Sequence, residues 1–312
     1  MSGSCQPDAT TRVPAGEAAA YGPVGHSRWL DVDWQSHQRW VVVDGQPVNT
    51  IELGQGPTLV FVHGLSGSWP NWLEQLPVLA EEHRVVAIDL PGFGHTPMPR
   101  HEISISGYAR LLDGLFGQLE IDAAAAVVGN SMGGFIAAEL AIAFPERVER
   151  LVLVSAAGIS TYDDPRTNRA LPTLRRLERI LASAGASFAA KSDTVARRAR
   201  LREATLSLVV RHPGRLGSAL AAEQLRGAGK PGFTQALESI LDYDIRERLP
   251  EIACPTLIVW GDGDRLIGVA DADRFAELIP DSRKVIFEDT GHMAMLERPA
   301  AFNALLRDFL QE

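Results

Sequence analysis

Short apolar runs alternate with longer stretches of helical spacing along most of the chain. Residues 58–62 and 84–88 each continue, after Thr58 and Arg84, as an unbroken apolar run, as expected of strands covered on both faces, whereas residues 105–119 repeat apolar positions at the helical period. Further strands are predicted at 123–128, 151–154, 255–260 and 284–287, and further helices at 72–80, 135–144, 269–278 and 299–310. This alternation predicts an α/β fold with a mostly parallel central sheet and helices on both faces.

Three segments depart from the alternation. Residues 40–53 carry two apolar runs around Asp44 and Gly45, which predicts a hairpin. Between 158 and 250 there are only helical patterns, around 171–181, 195–210, 216–225 and 233–241, so we expect an inserted helical cap that divides a core of residues 26–157 and 251–312. Residues 1–25 are rich in small residues and Pro without periodicity, which predicts a disordered leader.

Composition narrows the class of protein. The 312 residues are 46% hydrophobic and 22% charged, with a net charge of -9, which argues against nucleic acid as a partner. Cys5 and Cys254 are the only cysteines and suggest neither a disulfide framework nor a cysteine metal site. We find no apolar run long enough for a membrane span and no signal-peptide pattern, and we therefore expect a cytoplasmic protein.

A serine stands between two glycines where an apolar run meets a helical pattern, in Gly-Asn-Ser-Met-Gly at residues 129–133. A strand that turns sharply into a helix holds its apex side chain outward, so Ser131 is a candidate nucleophile. A serine hydroxyl needs an imidazole to accept its proton, and the imidazole needs a carboxylate to orient it. His292 and Asp264 follow two other predicted strands, and the carboxyl ends of parallel strands share one edge of a sheet.

Other residues compete for these roles or support them. Asp262 and Asp271 are rivals of Asp264, and His292 is preferred to the other seven histidines because it follows the last strand. The backbone N–H groups of Leu65 and Met132 are expected to form the oxyanion hole that stabilises a substrate oxygen as it becomes negative. His63 is expected to shape the oxyanion loop. Trp69 and Trp72 line an acyl pocket or pack in the core, and the sequence leaves this choice open.

Taken together, these segments resemble the α/β-hydrolase fold family over about residues 39–312. The similarity is carried by His63 and Gly64, the sequence at 89–94, the serine turn at 129–134, the sequence at 260–264, and Gly291 with His292. The order Ser131, Asp264, His292 is the family's order. The resemblance implies a serine-nucleophile branch with a helical lid over the active site, and it implies that neither a metal nor an organic cofactor is needed.

Three functions follow from these residues. The first is a serine hydrolase that cleaves a carboxylic ester or related acyl compound of small, apolar type through an acyl-enzyme. The second is a carbon–carbon bond hydrolase of diketone ring-fission products, which the serine turn also resembles, although Met293 stands where those enzymes often have a tryptophan. The third, from another class, is a receptor-like binding protein with little turnover. Substrate identity and oligomeric state are not predicted.

Overall fold

One mixed sheet forms the centre of the protein. The structure, a computed structural model, describes residues 10–16, 21–22, 25–160 and 191–312. Within them nine strands are ordered β1-β9-β8-β7-β6-β4-β5-β3-β2. The strand β3 runs antiparallel to both of its neighbours, β2 and β5, and the other neighbouring pairs are parallel. The strands are β1 (Thr11–Val13), β2 (Gln38–Val43), β3 (Gln46–Leu53), β4 (Thr58–Val62), β5 (Arg84–Ile88), β6 (Ala126–Asn130), β7 (Leu151–Val154), β8 (Thr256–Gly261) and β9 (Ser282–Phe287).

Helices cover both faces of this sheet. Besides a helical stretch at 191–197, the α-helices of the described residues are α1 (Leu76–Leu79), α2 (Ile105–Gln118), α3 (Met132–Ala143), α4 (Ala199–Leu206), α5 (Ser218–Arg226), α6 (Phe233–Asp242), α7 (Ala270–Leu278), α8 (Ala294–Glu297) and α9 (Pro299–Gln311). One apolar cluster joins the sheet to α2, α3 and α7, and a second joins its other face to α1, α8 and α9.

The strand β4 illustrates why the sequence pattern is continuous rather than alternating. Val60 and Val62 belong to the first cluster, whereas Leu59 and Phe61 belong to the second, and all four are fully buried. Successive side chains of a strand point to opposite faces, so a strand covered on both sides is apolar at every position. The predicted α/β class and mostly parallel sheet are confirmed.

The N-terminal segment departs from the prediction. Within the leader that we expected to be disordered, Thr11–Val13 form β1 and pair in parallel with β9, from Thr11 opposite Val285 to Val13 opposite Phe287. Three residues carry too little periodicity to be recognised, and the edge of β9 supplies the hydrogen bonds that order them.

The predicted helix at 72–80 is also interrupted. The chain forms a 3-10 helix at Trp69–Trp72 and then the short α1. Pro77 is the reason, because its ring would clash with the carbonyl of residue 73 in a continuous helix and it has no N–H to donate.

Helices occupy the described part of the segment between β7 and β8. Residues 191–197 are helical, and α4 to α6 follow within the predicted cap. The helix predicted at 171–181 lies outside the described residues. None of the helices described has both the length and the apolar character needed to cross a membrane.

Candidate active site

Ser131 lies at the sharp turn that joins β6 to α3. Its backbone has φ 56° and ψ −119°, a strained conformation for a residue with a side chain. The turn is possible because glycines stand on both sides: a Cβ on Gly129 would lie 2.2 Å from the Gly133 oxygen, and one on Gly133 would lie 2.2 Å from the Val62 oxygen. Small neighbours therefore let strand and helix approach and present the Ser131 side chain at the carboxyl edge of the sheet.

His292 and Asp264 meet at the same edge, after the neighbouring strands β9 and β8. The Nδ1 atom of His292 lies 2.7 Å from Oδ2 of Asp264, and the two side chains are 3% and 0% exposed. Oδ1 of Asp264 accepts the N–H groups of Leu266 and Ile267 at 2.8 and 3.0 Å. A carboxylate only accepts, so the proton belongs on Nδ1 and Nε2 has a lone pair for a serine proton.

The rival carboxylates lie elsewhere. Asp262 is exposed, and its N–H donates to the Phe287 oxygen in the turn after β8. Asp271 is buried in α7 and accepts the N–H of Ser160 at 3.0 Å. Of the three candidate carboxylates, the structure thus brings Asp264 to His292.

Asn130 links the serine turn to the histidine loop. Its amide Nδ2 donates to the Val154 oxygen at 3.0 Å and to the His292 oxygen at 3.3 Å. Ser131 and His292 are 8% and 3% exposed. The Nε2 atom of His292 is buried and has no hydrogen-bond partner among the described residues, so it does not bond Ser131 here. Catalytic hydrogen bonds often close only when substrate is bound.

The loop after β4 lies against the serine. A Cβ on Gly64 would lie 3.0 Å from the Ser131 Cβ, and the loop turns through a bond from the Gly67 N–H to the Gly64 oxygen. Leu65 lies inside this turn, and Met132 is the first residue of α3. Neither N–H donates a backbone hydrogen bond within the described residues.

His63 supports this loop, as the sequence suggested. Its Nε2 accepts the Leu90 N–H at 3.0 Å, so the ring proton is on Nδ1 and is donated to the Gly64 oxygen at 2.7 Å. Burial lowers the pKa of His63, although nearby Asp89 opposes the change. Neutral His63 therefore links the loop after β4 to the loop after β5 through these two hydrogen bonds.

The two candidate pocket tryptophans separate. Trp72 is fully buried and packs on Phe61 with ring centroids 5.2 Å apart, so it belongs to the core. Trp69 is partly exposed and packs on Trp34 with the ring planes tilted by 44°, and its backbone N–H donates to the buried carboxylate of Asp89 at 2.8 Å. Contact of Trp69 with a substrate stays a prediction.

Segments from residues 191–250 contact the loops that carry these groups. In α5, Gln224 accepts a bond from Asn71 and donates to the Pro70 oxygen. At the start of α6, the Gly232 N–H donates to the Gly92 oxygen at 3.0 Å. Near the histidine, the Arg211 N–H donates to Glu297 at 2.9 Å.

Sequence reasoning gave no role to Asn130, Asp89 or Glu297. Asn130 stands inside the serine motif, but its contacts with Val154 and His292 are long-range. Asp89 and Glu297 are acidic residues beside apolar runs, and a buried carboxylate is rare enough to be a signal only once its burial is known.

The sequence model of the α/β hydrolase fold family matches residues 57–299 of this chain. The chain belongs to the α/β hydrolase fold family. Its relatives include the 2-hydroxy-6-oxo-2,4-heptadienoate hydrolase of Pseudomonas putida, 32% identical over 87% of this chain and 95% of that protein. They also include the dihydrolipoyllysine-residue acetyltransferase component of the acetoin cleaving system of Cupriavidus necator, 32% identical over 86% of this chain and 67% of that protein.

Among solved structures, Est816, described as an N-acyl homoserine lactone degrading enzyme, matches with a TM-score of 0.68. It is 26% identical and covers 87% of this chain and 100% of its own. The predicted family is confirmed, and so is the prediction of a hydrolase at the level of this family.

Proposed function

We propose that this protein is a serine hydrolase of carboxylic esters or related acyl compounds, with Ser131 as nucleophile, His292 as base and Asp264 as the orienting acid. The observation that carries the proposal is the buried 2.7 Å pair of His292 and Asp264 at the sheet edge where the strained serine turn also ends. Nε2 of His292 is buried and has no hydrogen-bond partner within the described residues, which suits a proton acceptor.

The reaction follows from these atoms. Oγ of Ser131 attacks the ester carbonyl carbon while Nε2 of His292 takes the hydroxyl proton. The tetrahedral intermediate collapses, His292 gives that proton to the departing alkoxide, and an acyl-enzyme and an alcohol result. Water then attacks the acyl-enzyme with His292 again as base, which releases the acid and restores Ser131. Asp264 stabilises the imidazolium in both halves of the cycle.

The oxyanion needs fixed donors, and the N–H groups of Leu65 and Met132 are the proposed pair. The contact of Gly64 with Ser131 supports the first, since it brings the loop of Leu65 beside the nucleophile. The position of Met132 at the first turn of a 12-residue helix supports the second, because unpaired N–H groups and the helix dipole favour a negative oxygen there.

The inserted segment is proposed to be a lid above a small, apolar acyl group. Its Leu206, Val210 and Leu225 are buried in the same apolar cluster as Met293, the neighbour of His292. Its contacts with the loops of Asn71, Gly92 and Gly291 support this position. A water-poor site of this kind strengthens the electrostatic stabilisation of the oxyanion.

Covalent labelling tests the proposal. A fluorophosphonate probe should form one adduct, which peptide mass spectrometry should find on Ser131. Ser131→Ala should lose both the adduct and the hydrolysis of p-nitrophenyl esters, while its far-ultraviolet circular dichroism stays unchanged. Undiminished esterase activity in Ser131→Ala would refute the assignment. The rates on p-nitrophenyl esters of increasing chain length should then define the acyl group.

Carbon–carbon bond hydrolysis is the second candidate. It is favoured by the likeness to the Pseudomonas putida hydrolase, which covers nearly all of that protein. A dienol diketone would lose its absorbance faster than p-nitrophenyl esters are cleaved if this candidate is correct. Two other results would redirect the proposal: preferred transfer of the acyl group to an added thiol, or tight ligand binding with almost no turnover.

A further inference from the structure

A second buried carboxylate lies behind the histidine of the proposed triad. Glu297 ends the short helix α8 and is fully buried. Its two oxygens accept the Gly291 N–H at 3.0 and 3.1 Å, and its own N–H donates to the Met293 oxygen at 3.0 Å. These bonds close a ring of residues 291–297 that contains His292, so the Glu297 side chain fixes the backbone immediately before the imidazole.

The N-terminal segment reaches this carboxylate. The hydroxyl of Tyr21 donates to Oε2 of Glu297 at 2.5 Å, and the Gly22 N–H donates to the backbone carbonyl oxygen of Glu297 at 2.7 Å. Nearby, Arg298 donates to the Pro14 oxygen at 2.9 Å. Residues 10–16 and 21–22 precede the part of the chain that the family model matches.

The inserted segment reaches the same point. The Arg211 N–H donates to Oε2 of Glu297 at 2.9 Å, and the His212 N–H donates to the Tyr21 hydroxyl at 3.0 Å. Both side chains also contact Asp289, through Arg211 Nε at 3.3 Å and His212 Nε2 at 2.8 Å. Tyr21, Glu297 and the backbone at 211–212 thus form one hydrogen-bonded network behind the histidine loop.

We propose that Glu297 is a positioning residue for His292 and that Tyr21 is its brace, with the ionised carboxylate as the form that holds the histidine loop in its active position. The inference rests on the proposed function, because it assigns His292 as the base.

The donor pattern favours the ionised form. Tyr21, Arg211 and Gly291 all donate to Glu297, and a protonated carboxyl would turn its own O–H toward one of these donors. Burial, and next the Glu297 charge, raise the pKa of Tyr21, so the phenol remains a donor. Burial raises the pKa of Glu297 to about 7, although its hydrogen bonds act in the opposite direction. The loop is therefore held less firmly as the pH falls below neutrality.

Within the described residues, few charged groups face this carboxylate, and Arg211, His212 and Arg298 direct their side chains to other partners. The titratable and charged groups around it are Tyr21 on the N-terminal segment, Arg211, His212 and Arg215 on the inserted segment, Asp289 and His292 on the loop after β9, and Arg298. Arg211 and His212 direct their side chains to Asp289, and the Arg298 guanidinium donates to the backbone oxygens of Glu288 and Pro14. Hydrogen bonds rather than an ion pair thus hold Glu297.

The test is the pH profile of kcat/KM with p-nitrophenyl butyrate for the wild-type full chain, Glu297→Gln and Tyr21→Phe. In the wild type the logarithm of kcat/KM should fall with a slope steeper than one below neutral pH, because activity requires both an ionised Glu297 and an unprotonated His292. Glu297→Gln should restore a slope of one and lower kcat about tenfold with KM nearly unchanged. Tyr21→Phe removes a donor to the carboxylate and should move the steep region to higher pH by about one pH unit.

Tyr243→Phe is the matched control, since the Tyr243 hydroxyl donates to another buried carboxylate, Glu139, at 2.8 Å and makes none of the network's contacts. Its profile should follow the wild type. Equal profiles in all four proteins, or a shift in Tyr243→Phe equal to that in Tyr21→Phe, would overturn the proposal.

Fluorophosphonate labelling separates this inference from the proposed function. If wild-type Ser131 does not react, the proposed function fails and the positioning role fails with it. If Ser131 reacts with a pH dependence that neither Glu297→Gln nor Tyr21→Phe changes, only the positioning role is wrong. The labelling rate also replaces kcat/KM as the readout if p-nitrophenyl butyrate is turned over too slowly.

Discussion

The buried carboxylate of Glu297 makes a prediction about stability that is independent of catalysis. Burial raises its pKa from 4.5 to about 7, so between these values the folded protein holds a proton that the unfolded chain has lost. Its contribution to the free energy of unfolding is thus fully present below pH 4.5 and is lost as the pH rises to about 7. Glu297→Gln carries no titrating proton at this position and should not show this loss.

The magnitude follows from the interval between the two values. At about 1.4 kcal/mol for each pH unit, the interval from 4.5 to about 7 is worth about 3 kcal/mol. Glu297→Gln should therefore gain about 3 kcal/mol relative to the wild type across this range, whatever its stability at the acidic end.

Urea unfolding followed by circular dichroism measures this difference at a series of pH values from about 4.5 to about 8. Tyr21→Phe is the companion variant: since the Tyr21 hydroxyl lowers the pKa of Glu297, its removal should extend the loss of stability to higher pH. Parallel curves for the wild type and Glu297→Gln would refute the reasoning, because they would mean that Glu297 titrates alike in the folded and unfolded states.

Four other substitutions test the site and its scaffold. Asp264→Asn should lower kcat about 10³- to 10⁴-fold at unchanged fold, because an amide cannot hold the required imidazole tautomer; steady-state kinetics with circular dichroism as control decide it. Trp72→Ala should lower the free energy of unfolding by about 3–5 kcal/mol without altering acyl chain-length preference, since the side chain is fully buried. Gly133→Ala places a methyl group 2.2 Å from the Val62 oxygen and should cost at least about 1–3 kcal/mol in urea unfolding. The pKa of Asp289 is lowered overall, because hydrogen bonds from His212 and Arg211 outweigh the opposite effect of burial. Asp289→Asn should therefore lose a stabilisation that is present above pH 3.8 and fades below it, which urea unfolding at acidic pH would measure.

Local patterns were sufficient for the sheet and for the serine turn. Continuous apolar runs identified β4, β5 and β7 with their observed bounds, because a strand covered on both faces admits no polar alternation. Two glycines around Ser131 marked the turn, since only residues without a Cβ fit between β4, β6 and α3. These signals lie within a few residues of the feature that they predict.

Contacts between distant residues were beyond the sequence. Asp262 and Asp264 stand two positions apart, and only the fold shows which one meets His292. The bond between Tyr21 and Glu297 joins residues 276 positions apart, and no periodicity along the chain records it. The strand β1 was missed for the same reason, because its hydrogen bonds come from β9.

The hydrogen bonds around position 297 explain why a glutamate, rather than a glutamine, suits this site. Near neutral pH the ionised form lowers stability, and glutamine would fill nearly the same volume without a charge. Glutamine, however, has only one accepting oxygen: when that oxygen faces Tyr21 and Arg211, its NH₂ group takes the place of Oε1 and faces the Gly291 N–H, which is also a donor. The carboxylate accepts all three donors. If His292 is the base, the ionised carboxylate thus lowers the stability of the fold above neutral pH, and in the same pH range it holds the histidine loop most firmly.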